Sequence, residues 1–229
     1  MEALVFDFDG VVLDTETPLY EAWSSIYQDH GVTLTHEEWQ ICIGTKGVFD
    51  PIEDLLIKVE RSSSIGQAII NTQNQIRDEA HRRHVDQIEE SLYHPSPGVK
   101  KWLDDAIDSK LKIGMASSSS IGWLEKNLEM MGLRSYFLSV VGLGTGLRPK
   151  PFPDVYAKAC MDLGVEPSHA LAIEDSLHGL NSAKEAGLKC LAVPRGMTRN
   201  MDLSGADLVI ESLEDISLKA VRELIFAPS

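Results

Sequence analysis

Ala3-Leu4-Val5-Phe6-Asp7-Phe8-Asp9-Gly10-Val11-Val12-Leu13-Asp14-Thr15-Glu16 is an apolar run that stops abruptly in two carboxylates with a glycine behind them. A strand buried on both faces of a parallel sheet reads as a continuous apolar run, so Ala3 to Phe6 is expected to be such a strand. Ligands of open α/β sheets collect just beyond the carboxyl ends of the strands, where Asp7 and Asp9 stand. Two acids there repel each other, and each loses solvation. A divalent metal is the group that would neutralise them.

Downstream of this strand the pattern is helical. Leu19, Trp23, Ile26 and Tyr27 fall at helical spacing, a second helix is expected to begin near His36, and further helical patterns cover 51–60 and 65–92. His94-Pro95-Ser96-Pro97-Gly98 breaks the pattern and reads as a linker. Beyond it helices and strands alternate. Helices are expected over 99–108, 121–131, 154–163 and 179–186, and strands over 111–116, 137–143, 170–173, 189–193 and 206–210. A glycine-rich loop is expected over 142–151. Such alternation implies right-handed crossovers and a sheet covered on both faces. The expected fold class is α/β: a doubly wound parallel (Rossmann-like) sheet with an inserted all-helical cap domain. The core is placed at 1–13 and 94–229 and the cap at 14–93, where it hangs over the acids as a lid.

The chain has 229 residues and a formal net charge of −14. That balance argues against nucleic acid, which needs a basic face, and any phosphate site must be made positive locally. No apolar run is long enough to span a bilayer, and the strand begins so early that no secretory signal is expected. Cys42, Cys160 and Cys190 are scattered and lack metal spacing, which points to free thiols in a reducing cytoplasm.

Four strand ends carry polar groups: Asp7 and Asp9, Ser117, Lys150 in the loop after the third strand, and Glu174 with Asp175. In a parallel sheet all project from one edge. Each has a bland reading alone, as an acidic loop, a helix cap or a surface lysine. The capping role suits Ser119 or Ser120 best. Together they favour a catalytic site. A carboxylate beside magnesium can attack phosphorus and form an aspartyl-phosphate. Asp7, the Asp9 backbone carbonyl and Asp175 would hold Mg2+, with Glu174 in support through water or by orienting its neighbour. Ser117, with neighbouring Gly10 and Ser118, would contact phosphoryl oxygens, and Lys150 would offset their charge. Asp9 would protonate the leaving alkoxide and later deprotonate water.

On Asp7-Phe-Asp9-Gly10, Ala116-Ser117, Lys150-Pro151 and Ile173-Glu174-Asp175-Ser176, taken in that order, the chain resembles the haloacid dehalogenase-like superfamily, in the phosphatase branch with a helical cap. The resemblance implies Asp7 as nucleophile, Asp9 as general acid/base, Ser117 and Lys150 as phosphate clamps and Asp175 as metal ligand. An acid at the position of Asp9 marks the members that cleave phosphate esters. The expected substrate is therefore a small phosphorylated metabolite, with sugar phosphates among the candidates, handled by a monomer. The core and cap are similar to those of β-phosphoglucomutases, so a phosphosugar mutase is the alternative. Against it, Leu19 stands where those mutases carry a cap histidine. Glu16, Trp23, Lys46 and Arg77 are candidate lid residues, with Trp23 better suited to the cap core. The basic cluster Arg77, His81, Arg82, Arg83 and His84 reads as a solvated helix face, and His30 and His36 receive no role. A phospho-accepting signalling domain has no use for so large an insertion and ranks low.

Overall fold

The computed structural model describes residues 1–90, 94–144 and 146–227. Six parallel strands form one sheet in the order β3-β2-β1-β4-β5-β6. The strands are β1 (Ala3–Phe6), β2 (Lys112–Ser120), β3 (Ser139–Leu143), β4 (Ala170–Glu174), β5 (Lys189–Ala192) and β6 (Leu208–Val209). The strand nearest the N-terminus is thus central, and it is buried throughout.

Side-chain alternation gives the sheet two unlike faces. Leu4, Phe6, Ile113, Met115, Leu171, Ile173 and Leu191 point to one side, under α5 (Val99–Asp108), α6 (Ile121–Met130) and α9 (Leu218–Phe226). Ala3, Val5, Ala116, Ala170, Ala172 and Ala192 point to the other, under α7 (Asp154–Leu163) and α8 (Leu177–Glu185). Large residues supply the greater hydrophobic term, about 1.5–3 kcal/mol for each side chain fully buried. The small-residue face lets α7 approach closely. A Cβ at Gly114 would lie 3.0 Å from Leu163 Cδ1.

Between β1 and α5 the regular elements among the described residues are all helices: α1 (Glu16–Asp29), α2 (His36–Gln40), α3 (Pro51–Lys58) and α4 (Ser64–Glu90). Thr35 and Glu38 close a reciprocal capping box on α2, and Asp50 caps α3 with Pro51 in its first turn. Trp23, Ile26, Tyr27, Trp39, Ile52, Leu55 and Ile69 form a separate apolar core within this insertion. Trp23 therefore packs the insertion. Away from the chain entry at residues 14–16, four hydrogen bonds among the described residues tie the insertion to the sheet domain, each from a side chain to a backbone carbonyl. Gln40 Nε2 donates to Met197 O at 2.7 Å, Ser118 Oγ to Gly44 O at 3.0 Å, His178 Nε2 to Ile41 O at 3.1 Å, and Thr45 Oγ1 to Lys150 O.

The expected elements are present with shifted ends. β2 runs on to Ser120, past an irregularity between Ala116 and Ser120. Phe137 and Leu138 precede β3, and β6 is only two residues long. The last two residues of the helix expected over 65–92, and Thr145 in the expected glycine-rich loop, lie outside the described residues. Helix α9 has no counterpart among the elements expected from the sequence. It is capped by Ser217, which accepts the Ala220 amide. Among the described residues no helix is long and apolar enough to cross a membrane.

Candidate active site

Register brings the strand ends together. Phe6 pairs with Met115 on one side and Ile173 on the other. The residues one step further along these strands are Asp7, Ala116 and Glu174, so Asp7, Ser117 and the Glu174–Asp175 pair share one edge. Lys150 arrives from the loop after β3 and is buried, with 1% of its surface exposed. Its ammonium donates to Asp7 Oδ1 at 2.6 Å and to Glu174 Oε1 at 2.5 Å. Burial alone would lower its pKa, but the two carboxylates outweigh that and raise it. Lys150 stays charged.

The two acids at the end of β4, Glu174 and the following Asp175, have different surroundings. Both Glu174 oxygens are taken: Oε1 by Lys150 and by the Tyr156 hydroxyl at 2.7 Å, Oε2 by the Asp175 and Ser176 amides and the Ser176 hydroxyl. Among the described residues, Asp175 Oδ2 accepts only from Thr198 Oγ1, at 3.3 Å, and its Oδ1 is buried without a partner. Ligand atoms of Asp7, Glu174 and Asp175 lie within 4.8 Å of one another. Burial, with Glu174 and Asp7 beside it, pushes Asp175 well above the usual carboxylate range. Burial does the same to Asp7, against the pull of Lys150. A buried orphan oxygen in an all-oxygen cluster fits a hard divalent cation. Asp7 and Asp175 are the donors with room for it, and Glu174 holds Lys150 and the Asp175 backbone in place.

Asp9 faces a different environment. Three hydroxyls donate to it, Thr15 to Oδ1 at 2.8 Å, and Ser117 and Ser119 to Oδ2 at 3.0 and 2.6 Å. It also lines a cleft of about 390 Å3 with Glu16, Leu19, Lys46, His81, His84 and Trp123. Glu16 is pushed up to about 7 by burial and by Asp9, against the charge of Lys46.

Some expected roles change. The Gly10 amide donates to Leu13 O at 2.7 Å rather than facing a phosphate. Its φ is +91°, and a Cβ at this position would overlap Asp175 Oδ2, so the glycine leaves space for that carboxylate. The Ser118 hydroxyl is likewise committed, donating to Gly44 O and accepting the Lys150 amide. Arg77 is paired with Asp50, outside the cleft lining. The basic cluster divides: Arg82 and Arg83 pair with Glu79, whereas His81 and His84 line the cleft. Ser120 caps α6, but Ser119 binds Asp9. Neither Ser119 nor Trp123 is marked as a site residue by the sequence, and only their nearness to the end of β2 hints at it.

A family model described as haloacid dehalogenase-like hydrolase matches residues 4–193. The chain belongs to that family. It is 36% identical to the Bacillus subtilis protein YhcW, whose name proposes a phosphatase, over 95% of this chain and 94% of the relative. It is 29% identical to the β-phosphoglucomutase of Bacillus subtilis, over 97% of this chain and 95% of the relative. A β-phosphoglucomutase structure from Clostridium difficile superposes with a TM-score of 0.75 over 99% of this chain and 97% of that one, at 23% identity, a likeness of fold. The sheet with its helical insertion is thus the fold of this family.

Proposed function

We propose that this enzyme, a haloacid dehalogenase-like phosphoric monoester hydrolase, is a magnesium-dependent phosphatase acting on a small phosphorylated metabolite such as a sugar phosphate, through an aspartyl-phosphate on Asp7. The observation that carries this reading is the unlike setting of two acids two residues apart. Asp7 is gripped by Lys150 inside the acidic cluster, whereas Asp9 is gripped by hydroxyls at the cleft.

A carboxylate oxygen of Asp7 attacks phosphorus, the ester P–O bond breaks, and Asp9 gives its proton to the departing alkoxide. Water then attacks the aspartyl-phosphate, Asp9 takes its proton, and the acyl-phosphate bond breaks to release phosphate and restore Asp7. Lys150 keeps the nucleophile oriented and offsets charge on the phosphoryl group. Asp7, Asp175 and the Asp9 carbonyl would hold Mg2+, which would supply charge neutralisation for the phosphate. Residues 14–93 serve as the cap, with Glu16 and Lys46 meeting the substrate. Residues 1–13 and 94–229 form the catalytic core. Three unpaired cysteines suit a cytoplasmic protein, and the site needs no second subunit.

Leu19 lies in the cleft lining, and among the described residues the side-chain donors to Asp9 are three hydroxyls rather than an imidazole, which favours water over a second sugar hydroxyl as acceptor. The purified protein, given magnesium and a panel of phosphorylated metabolites, should release inorganic phosphate. Isomerisation of a hexose 1-phosphate without phosphate release would establish the mutase instead, and no turnover of any ester would end both readings.

A further inference from the structure

His84 is the one buried member among the seven histidines of the chain. It sits on α4, at the far end of the insertion from Leu19, yet it lines the same cleft as Asp9. Its Nε2 lies 3.2 Å from the backbone oxygen of Thr15, and its ring stacks on Trp123 of α6 with centroids 6.0 Å apart and an interplanar angle of 27°. Burial lowers its pKa, so at pH 7 the ring is neutral and carries a single N–H. A carbonyl only accepts, which puts that proton on Nε2.

Thr15 is the joint between two bonds. It receives His84 on its carbonyl and donates its hydroxyl to Asp9 Oδ1 at 2.8 Å. The other two donors to Asp9, Ser117 and Ser119, come from β2 of the sheet domain. The Thr15 bond is therefore the one through which the helical insertion reaches the acid/base carboxylate.

We propose that His84 is a positioning residue for proton transfer: its Nε2–H holds Thr15, and Thr15 holds the Asp9 carboxylate in the orientation that protonates the leaving group. The proposal rests on the phosphatase reading above. Such a role weighs most on esters whose leaving group needs a proton and least on those that depart as stable anions.

The test compares phenyl phosphate with p-nitrophenyl phosphate, whose leaving group is far less basic. His84→Phe keeps a ring against Trp123 and loses the donor. His84→Gln keeps an N–H donor and loses the ring. The expected result is that His84→Phe lowers the phenyl to p-nitrophenyl rate ratio by about tenfold, and that His84→Gln restores most of it. Equal losses on both esters, or a ratio unchanged in His84→Phe, overturn the proposal in favour of simple packing. An independent readout is 15N NMR of the imidazole in wild-type protein, which should show the Nε2–H tautomer at pH 7. An Nδ1–H or doubly protonated ring overturns the contact itself. Wild-type protein that hydrolyses neither of these esters nor any metabolite of the panel overturns the phosphatase reading and the catalytic role of His84 with it, while the tautomer still reports the contact separately.

Discussion

At Lys150 one buried cation is held between two buried carboxyl groups, and the arrangement is stable only while the cation remains. Replacing the lysine leaves Asp7 and Glu174 buried without a cation. Lys150→Met should lose about 3–5 kcal/mol of stability, measured by urea unfolding, in addition to activity. Asp7→Asn should abolish phosphate release. Asp9→Asn should still bind substrate while turnover of alkyl esters falls by about 10²–10⁴-fold, read from kcat against KM. Gly10→Ala forces a Cβ onto Asp175 Oδ2 at a left-handed φ, so the magnesium concentration for half-maximal activity should rise. Most of these residues are legible in the sequence because each ends an apolar run. Ser119 is not. Its serine neighbours make a cap and a ligand look alike, and only the irregularity in β2 turns this hydroxyl toward Asp9.

Among the elements, α8 shows how a helix that looks ordinary is shaped by the site. Alanine at Gly179 would improve helix propensity by about 1 kcal/mol. Its Cβ, however, would overlap the Glu174 carboxyl, which Lys150 and Tyr156 already hold from the other side. The clash should win. Gly179→Ala is expected to lower the melting temperature, and a rise would show that Glu174 moves freely. Strand and helix types follow from apolar periodicity, so the alternation after Pro97 is readable. The ends of β2 and β3 are not, because neighbouring strands decide where pairing stops. Helix α9 is legible by the same rule, with Ser217 as its cap and Leu218, Val221 and Ile225 at helical spacing, and it packs under α5.

For the whole molecule, the acidic cluster sets how stability responds to pH. Asp7, Asp175 and Glu16 are all raised, Glu16 to about 7. Between the ordinary carboxylate pKa and these raised values the unfolded chain has lost protons that the folded chain keeps. Stability of the metal-free protein should therefore fall as pH rises through that window. On the proposed reading magnesium would bind the deprotonated carboxylates and oppose the fall. The rise in melting temperature on adding magnesium should be larger at pH 8 than at pH 5.5, and the reverse order would contradict binding at Asp7 and Asp175. Glu16→Gln should flatten part of the metal-free slope. The charge of −14 tells only of partners to exclude. The cleft between insertion and sheet is illegible in the sequence, since residues from Thr15 to Trp123 meet there only after both units have folded.

The four ties between insertion and sheet domain all end on backbone carbonyls. Every amino acid supplies such an acceptor, so the receiving positions Ile41, Gly44, Lys150 and Met197 impose no side-chain requirement through these bonds. Only the donors Gln40, Thr45, Ser118 and His178 are specified. Gly44 and Lys150 are fixed for other reasons, Gly44 by a φ of +79° with Ser176 behind it and Lys150 by its two carboxyl partners, so the tolerance falls mainly on Ile41. A lineage can rewrite the cleft for a new metabolite and keep the same docking, and a grafted insertion that retains counterparts of Gln40 and Thr45 already has half of the attachment.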